Sequence, residues 1–207
     1  TGANGTNHDD TSAMSVAADL LVIEQTVTDA EGDTATASVD LGNGVFQVQD
    51  DGPKATATAL TEEDVAVVDE SSPVFTGTAG SGTDGVLSAT INLANNFVTP
   101  AYGADGPGSV SYALVLTGVD VASGLFAIDP AAADGQGDEI VLNQTGNTIT
   151  GTANGDTYFV ISVDNDPLSP DFGSVTFTLN PDAPIWHEQT GANGTNHDDT
   201  SAMSVAA

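Results

Sequence analysis

Cysteine and arginine are absent from this sequence, and lysine occurs once, as Lys54. Each absence excludes something. Without cysteine there is neither a disulfide staple nor a thiolate metal site, so the metal ligands available in quantity are oxygens. One basic residue stands against thirty acidic ones, a formal net charge of -29, so no cationic surface exists to meet nucleic acid or an anionic membrane. Aromatic residues make up 5% of the chain, too few for the stacking platforms of a typical sugar-binding module. No apolar run approaches the ~18 residues of a membrane helix, and direct membrane insertion is not expected. No P-loop, dinucleotide fingerprint or G-x-S-x-G elbow occurs, and there are three histidines. Neither an enzymatic activity nor a small-molecule substrate is expected.

What is present begins with a duplication. Thr1 to Ala18 reads TGANGTNHDDTSAMSVAA, and Thr190 to Ala207 repeats it letter for letter at an offset of 189 residues. Identity over that length marks a tandem array, with these residues forming one period and an overlap into the next. The expected partners are neighbouring copies of the same repeat in one chain. A stiff connector falls at Gln49-Asp50-Asp51-Gly52-Pro53, where proline removes an N–H and restricts the residue before it. On this reading residues 1–53 are the C-terminal strands of one repeat, and 54–207 are the following repeat without its last strands. Strands 20–49 are then expected to fold against the 54–189 body, within one molecule or exchanged between neighbours.

The periodicity is that of β-strands. Ala35, Ala37, Val39 and Leu41 alternate with Thr34, Thr36, Ser38 and Asp40, and Val175, Phe177 and Leu179 alternate with threonines. Strands are also predicted over 13–17, 20–28, 44–49, 55–60, 89–93, 112–116, 139–143, 147–153 and 157–164. Turn signals at Asn43-Gly44, Asp105-Gly106-Pro107-Gly108, Asn147 and Asn154-Gly155 separate them. Only 119–133 reads as a short helix or turn. Many short strands at this spacing predict an all-β sandwich.

The acids gather in loops. Asp29, Glu31 and Asp33 sit at alternate positions around Gly32, a spacing that lets one tight loop offer several oxygens to a hard cation. Other clusters are Asp9-Asp10, recurring at Asp198-Asp199, then Asp50-Asp51, Glu62-Glu63-Asp64 and Asp164-Asn165-Asp166. If strands 11–17, 20–28, 34–41 and 45–49 alternate in direction, Asp9, Asp10, the 29–33 loop, Asp50 and Asp51 share one pole. Glu63 and Asp64 would approach from the following module. The plain alternative is turn chemistry and solvated acidic surface. Among cations Ca2+ is preferred, because irregular loops suit its variable coordination better than the octahedral demand of magnesium. Calcium there would cancel self-repulsion and freeze the angle between modules.

Several stretches together carry a family resemblance. These are Gln25–Leu41 (QTVTDAEGDTATASVDL), Val48–Pro53 (VQDDGP), Gly103–Tyr112 (GADGPGSVSY), Glu139–Thr145 (EIVLNQT) and Ile185-Trp186-His187. They resemble the repeats of giant RTX adhesins, which bacteria export by type I secretion and use in biofilm attachment. The resemblance implies an immunoglobulin-like or cadherin-like β-sandwich extender module, secreted to the bacterial cell surface and rigidified by calcium. It carries the calcium role to Asp29, Glu31, Asp33, Asp50 and Asp51, with Glu31 standing where such loops usually have aspartate. The functional expectation is a spacer that projects a distal adhesive tip. The alternative is a calcium-dependent ligand- or carbohydrate-binding module of the same kind of adhesin.

Overall fold

The computed structural model describes residues 11–70, 85–188 and 202–203. Among these the chain is all-β, with eleven strands, a single 3-10 turn at Leu93–Asn96 and no α-helix. No helix of the described residues is long and apolar enough to cross a membrane. The chain divides into two compact units, Thr1–Ala57 with Val98–Ser109, and Thr58–Phe97 with Val110–Ala207.

In the first unit, β1 (Thr11–Ser15) pairs with β4 (Asn43–Gln49), and β2 (Val22–Thr28) pairs with β3 (Thr34–Asp40). Both ladders are antiparallel. Residues directly opposite in such a ladder share a face. Ile23 stands opposite Val39, Gln25 opposite Ala37 and Val27 opposite Ala35, whereas Glu24 faces Ser38 and Thr26 faces Thr36. The hairpin is therefore amphipathic, as its alternation predicts. Its apolar face is nonetheless open: Ile23 is 60% exposed, Val27 57% and Val39 65%. A two-stranded ribbon has one layer, and burial needs two.

The second unit holds a seven-stranded antiparallel sheet. Its members are β5 (Ser88–Asn92), β6 (Val121–Ile128), β7 (Gln136–Thr145), β8 (Thr148–Ala153), β9 (Asp156–Val163), β10 (Ser174–Leu179) and β11 (Ile185–Trp186). Their order is β11-β6-β7-β8-β9-β10-β5. One face of every second residue supplies the core: Leu125 and Ala127 from β6, Ile140 and Leu142 from β7, Ile149 and Ala153 from β8, Phe159 and Ile161 from β9, Leu179 from β10. Register shifts within β6–β7 and β8–β9 bend the strands, and the sheet curls around this core as expected of the β-sandwich class. The β8–β9 turn is the predicted Asn154-Gly155 pair, with φ of 54° and 89°, which suits a tight hairpin.

Three sequence expectations change. Residues 119–133 contain strand β6 rather than a helix, and Gly124, at φ 76°, marks the shift that interrupts its alternation. Residues 112–116 join no ladder. Instead the Gln144 side chain binds their backbone: Oε1 accepts from Leu116 N at 2.6 Å and Nε2 donates to Leu114 O at 2.6 Å. Leu114 and Leu116 still pack on the core. Residues 55–60 form no strand, and Lys54 beside them makes only an isolated bridge to Ala101.

Candidate functional site

The loop between β2 and β3 is tied by its first acid. Asp29 Oδ1 accepts from the backbone N–H of Glu31 and of Asp33, each at 2.9 Å. Asp29 N also donates to Asp33 O at 2.9 Å, and Gly32 takes a left-handed φ of 91° at the tip. One carboxylate thus closes the loop, and Glu31 and Asp33 stand exposed beside it. The Asp50-Asp51 pair has a related local bond, with Asp51 N donating to Asp50 Oδ1 at 2.9 Å. Thr11 lies opposite Gln49 in the β1–β4 ladder, so Asp50 follows at the end where β1 starts. Asp9 and Asp10 lie outside the described residues.

Two loops of the second unit use their acids more fully. Asp64 Oδ2 accepts from Thr61 N at 2.8 Å and Thr61 Oγ1 at 2.9 Å, with Asn96 Nδ2 at 3.4 Å. The backbone hydrogen bond from Thr61 contributes most to holding the Asp64 carboxyl below the ordinary aspartate range, followed by the Thr61 hydroxyl. Glu63 N in turn donates to Thr61 Oγ1 at 3.4 Å. At the other loop, Asp164 Oδ2 accepts a short hydrogen bond from Ser169 Oγ, and Oδ1 accepts from Asp166 N at 2.9 Å. The Ser169 hydroxyl is the main reason the Asp164 carboxyl is also held low. Asp166 Oδ1 accepts from Leu168 N at 2.9 Å.

The side-chain donors of these loops are carboxylate oxygens, the atom type that hard cations take. Their spacing is another matter. Among the described residues no three His, Asp or Glu side chains stand together as a metal group. The loops are placed on exposed turns, and their carboxylates first satisfy backbone N–H groups.

Sequence reasoning missed two features. Glu70 reaches the last strand: its Oε1 accepts from Ile185 N at 2.9 Å, and its Oε2 lies 3.3 Å from His187 Nε2. His187 thus meets a carboxylate. The second is a hollow of about 330 Å³ lined by Tyr158, Asp156, Asn180 and Asp182 among others. The Asn-Pro-Asp-Ala-Pro run at 180–184 announces a turn there, but nothing local announces that Tyr158 lies beneath it.

Residues 57–207 match the model of a family described as a domain of unknown function, DUF5801. No curated protein and no solved structure matches the chain.

Proposed function

We propose a mechanical function for this chain, which belongs to the DUF5801 family: it is a calcium-stabilised spacer repeat of a secreted bacterial surface adhesin. The observation that carries the reading is the eighteen-residue identity between Thr1–Ala18 and Thr190–Ala207. A segment copied at a fixed period belongs to an array, and an array of sandwich modules sets distance and stiffness. The resemblance to RTX adhesin extenders gives the array its setting on a cell surface, holding an adhesive tip away from the cell.

Two further features support it. The open apolar face of Ile23, Val27 and Val39 suits a unit whose covering layer comes from a neighbouring copy. A net charge of -29 with one lysine repels itself, and calcium drawn to the acidic loops would relieve that repulsion. The residues expected to attract it are Asp29, Glu31, Asp33, Asp50 and Asp51, then Asp9, Asp10, Glu63, Asp64, Asp164 and Asp166. No coordination sphere is assigned to them, since three acids do not meet among the described residues.

The test is a thermal melt of the chain with calcium and with chelator. The melting temperature should rise with calcium at ~0.1–1 mM, the range of extracellular modules. A melting temperature indifferent to chelation removes calcium from the mechanism. Small-angle scattering of two linked copies should show an extended, stiff particle with the ion and a compact or flexible one without it. A flexible particle under both conditions removes the spacer role.

A further inference from the structure

We propose that the hollow beside β9 in the second unit binds a small organic cation, an alkylammonium or guanidinium group on a short apolar stem. The site shares no residue with the acidic loops discussed above and does not depend on calcium. Its volume is about 330 Å³, at the lower end of small-molecule sites and far larger than a bare metal ion needs.

Tyr158 is the central observation. It is only 8% exposed, and its hydroxyl makes no hydrogen bond among the described residues. Yet no fully buried side-chain polar atom of the described residues lacks a partner, so this hydroxyl keeps its access through the hollow that the residue lines. A phenol held open in this way can donate to or accept from whatever enters the hollow. Asp156 stands at the start of the same strand, two residues before Tyr158, and lines the same hollow, and Asp182 comes from the turn after β10. Asn180 builds that turn. Its Nδ2 donates to Thr157 O at 2.6 Å, and its Oδ1 accepts from Asp182 N at 3.0 Å.

The electrostatics select the sign of the ligand. No basic residue lines the hollow, and the chain has a single lysine in all. Burial, then the charges of Asp156 and Asp138, push the Tyr158 phenol above its ordinary value, so it stays neutral beside a negative field. A cation entering here relieves that field and gives the hydroxyl an N–H donor to accept. The remaining wall, from Ile128 and Pro184, is apolar and suits a carbon stem. A metal ion fits less well, because no three acidic or histidine groups converge among the described residues. A sugar fits less well too, since the one aromatic ring of the site is buried and offers no open face.

The test is a titration of the whole chain with n-butylammonium and methylguanidinium chloride at constant ionic strength, following the Tyr158 ring and Asn180 amide signals by NMR. Saturable shifts with a dissociation constant of about 1 mM are expected. Tyr158→Phe and Asp156→Asn should each weaken binding about tenfold while melting like the parent chain. If one variant melts early, the other carries the comparison. A Gly-Lys-Gly peptide that binds more tightly than n-butylammonium assigns the site to a basic side chain of a partner. A peptide that binds no better assigns it to free amines. Equal shifts with potassium, shifts with methyl glucoside but not with the amines, or unchanged affinity in both variants would overturn the proposal. Repeating the titration with and without calcium separates its outcome from that of the spacer reading.

Discussion

Gly151 lies opposite Phe159 in the β8–β9 ladder, and the Phe159 ring occupies the space where a side chain on Gly151 would stand. A Cβ built there would sit 2.6 Å from both Cε1 and Cε2 of the ring. Phe159 is fully buried and packs on Phe177 with ring centroids 5.0 Å apart, so it has nowhere to retreat. Gly151 does not have a left-handed backbone, so the ring alone demands glycine. Gly151→Ala should cost about 1–3 kcal/mol through overpacking. Urea denaturation measures it, and a loss below about 0.5 kcal/mol would mean that the ring can move aside.

The Gln144 clamp yields a second prediction. Its amide holds Leu116 N, Leu114 O and, at 2.7 Å, Gly146 O. Gln144→Ala removes all three bonds, and Gln144→Glu turns a donor toward two carbonyls into a carboxylate. Both should raise hydrogen exchange at Leu116 about tenfold or more, corresponding to a loss near 1.4 kcal/mol. Unchanged exchange would show that apolar packing of Leu114 and Leu116 suffices to hold the segment.

The acid response follows from two carboxyls. Asp64 and Asp164 are both held below the ordinary aspartate value of 3.8. A depressed folded value means that their contribution is present above pH 3.8 and is lost as the pH falls through the lowered folded values. Carboxyl 13C titration should show both protonating below the ordinary aspartate value. Ser169→Ala should move Asp164 back toward 3.8 and leave Asp64 in place. Equal movement of both would deny the Ser169 hydroxyl its role.

The open face of the β2–β3 hairpin separates chain from array. Ile23→Thr and Val39→Thr alter side chains that are 60% and 65% exposed, so in the single chain each should shift stability by less than about 0.5 kcal/mol. In two linked copies, where the proposed neighbour covers that face, the same changes should cost about 1 kcal/mol or more. Equal, small effects in both would leave the face without a covering layer.

Much of the fold was legible along the chain because strand alternation and turn chemistry are local. The inward set Ile140, Leu142, Ile149, Phe159 and Ile161 lies within strands read from period-two patterning, and Asn154-Gly155 makes the hairpin its residues demand. Strand β6 escaped because its pairing with β7 slips register between Ala122 and Phe126, so alternation no longer signals one continuous strand. Segment 112–116 misled in the opposite sense: its alternation is real, but a glutamine side chain takes the place of a neighbouring strand.

The acidic loops divide in the same way. Sequence by itself determined the all-β class, the sign and size of the charge, the predominance of oxygen donors and the copied segment, since each is a property of composition or of near neighbours. Tertiary structure decided how the carboxylates are used. Asp64 accepts from Asn96 Nδ2, 32 residues on, and Glu70 from the backbone N–H of Ile185, 115 residues on. It also set the Asn180–Asp182 turn beside the buried Tyr158 of β9, joining residues 22 or more positions apart. Alternation tells a residue which way to face, whereas only the closing of the sheet determines what it meets there.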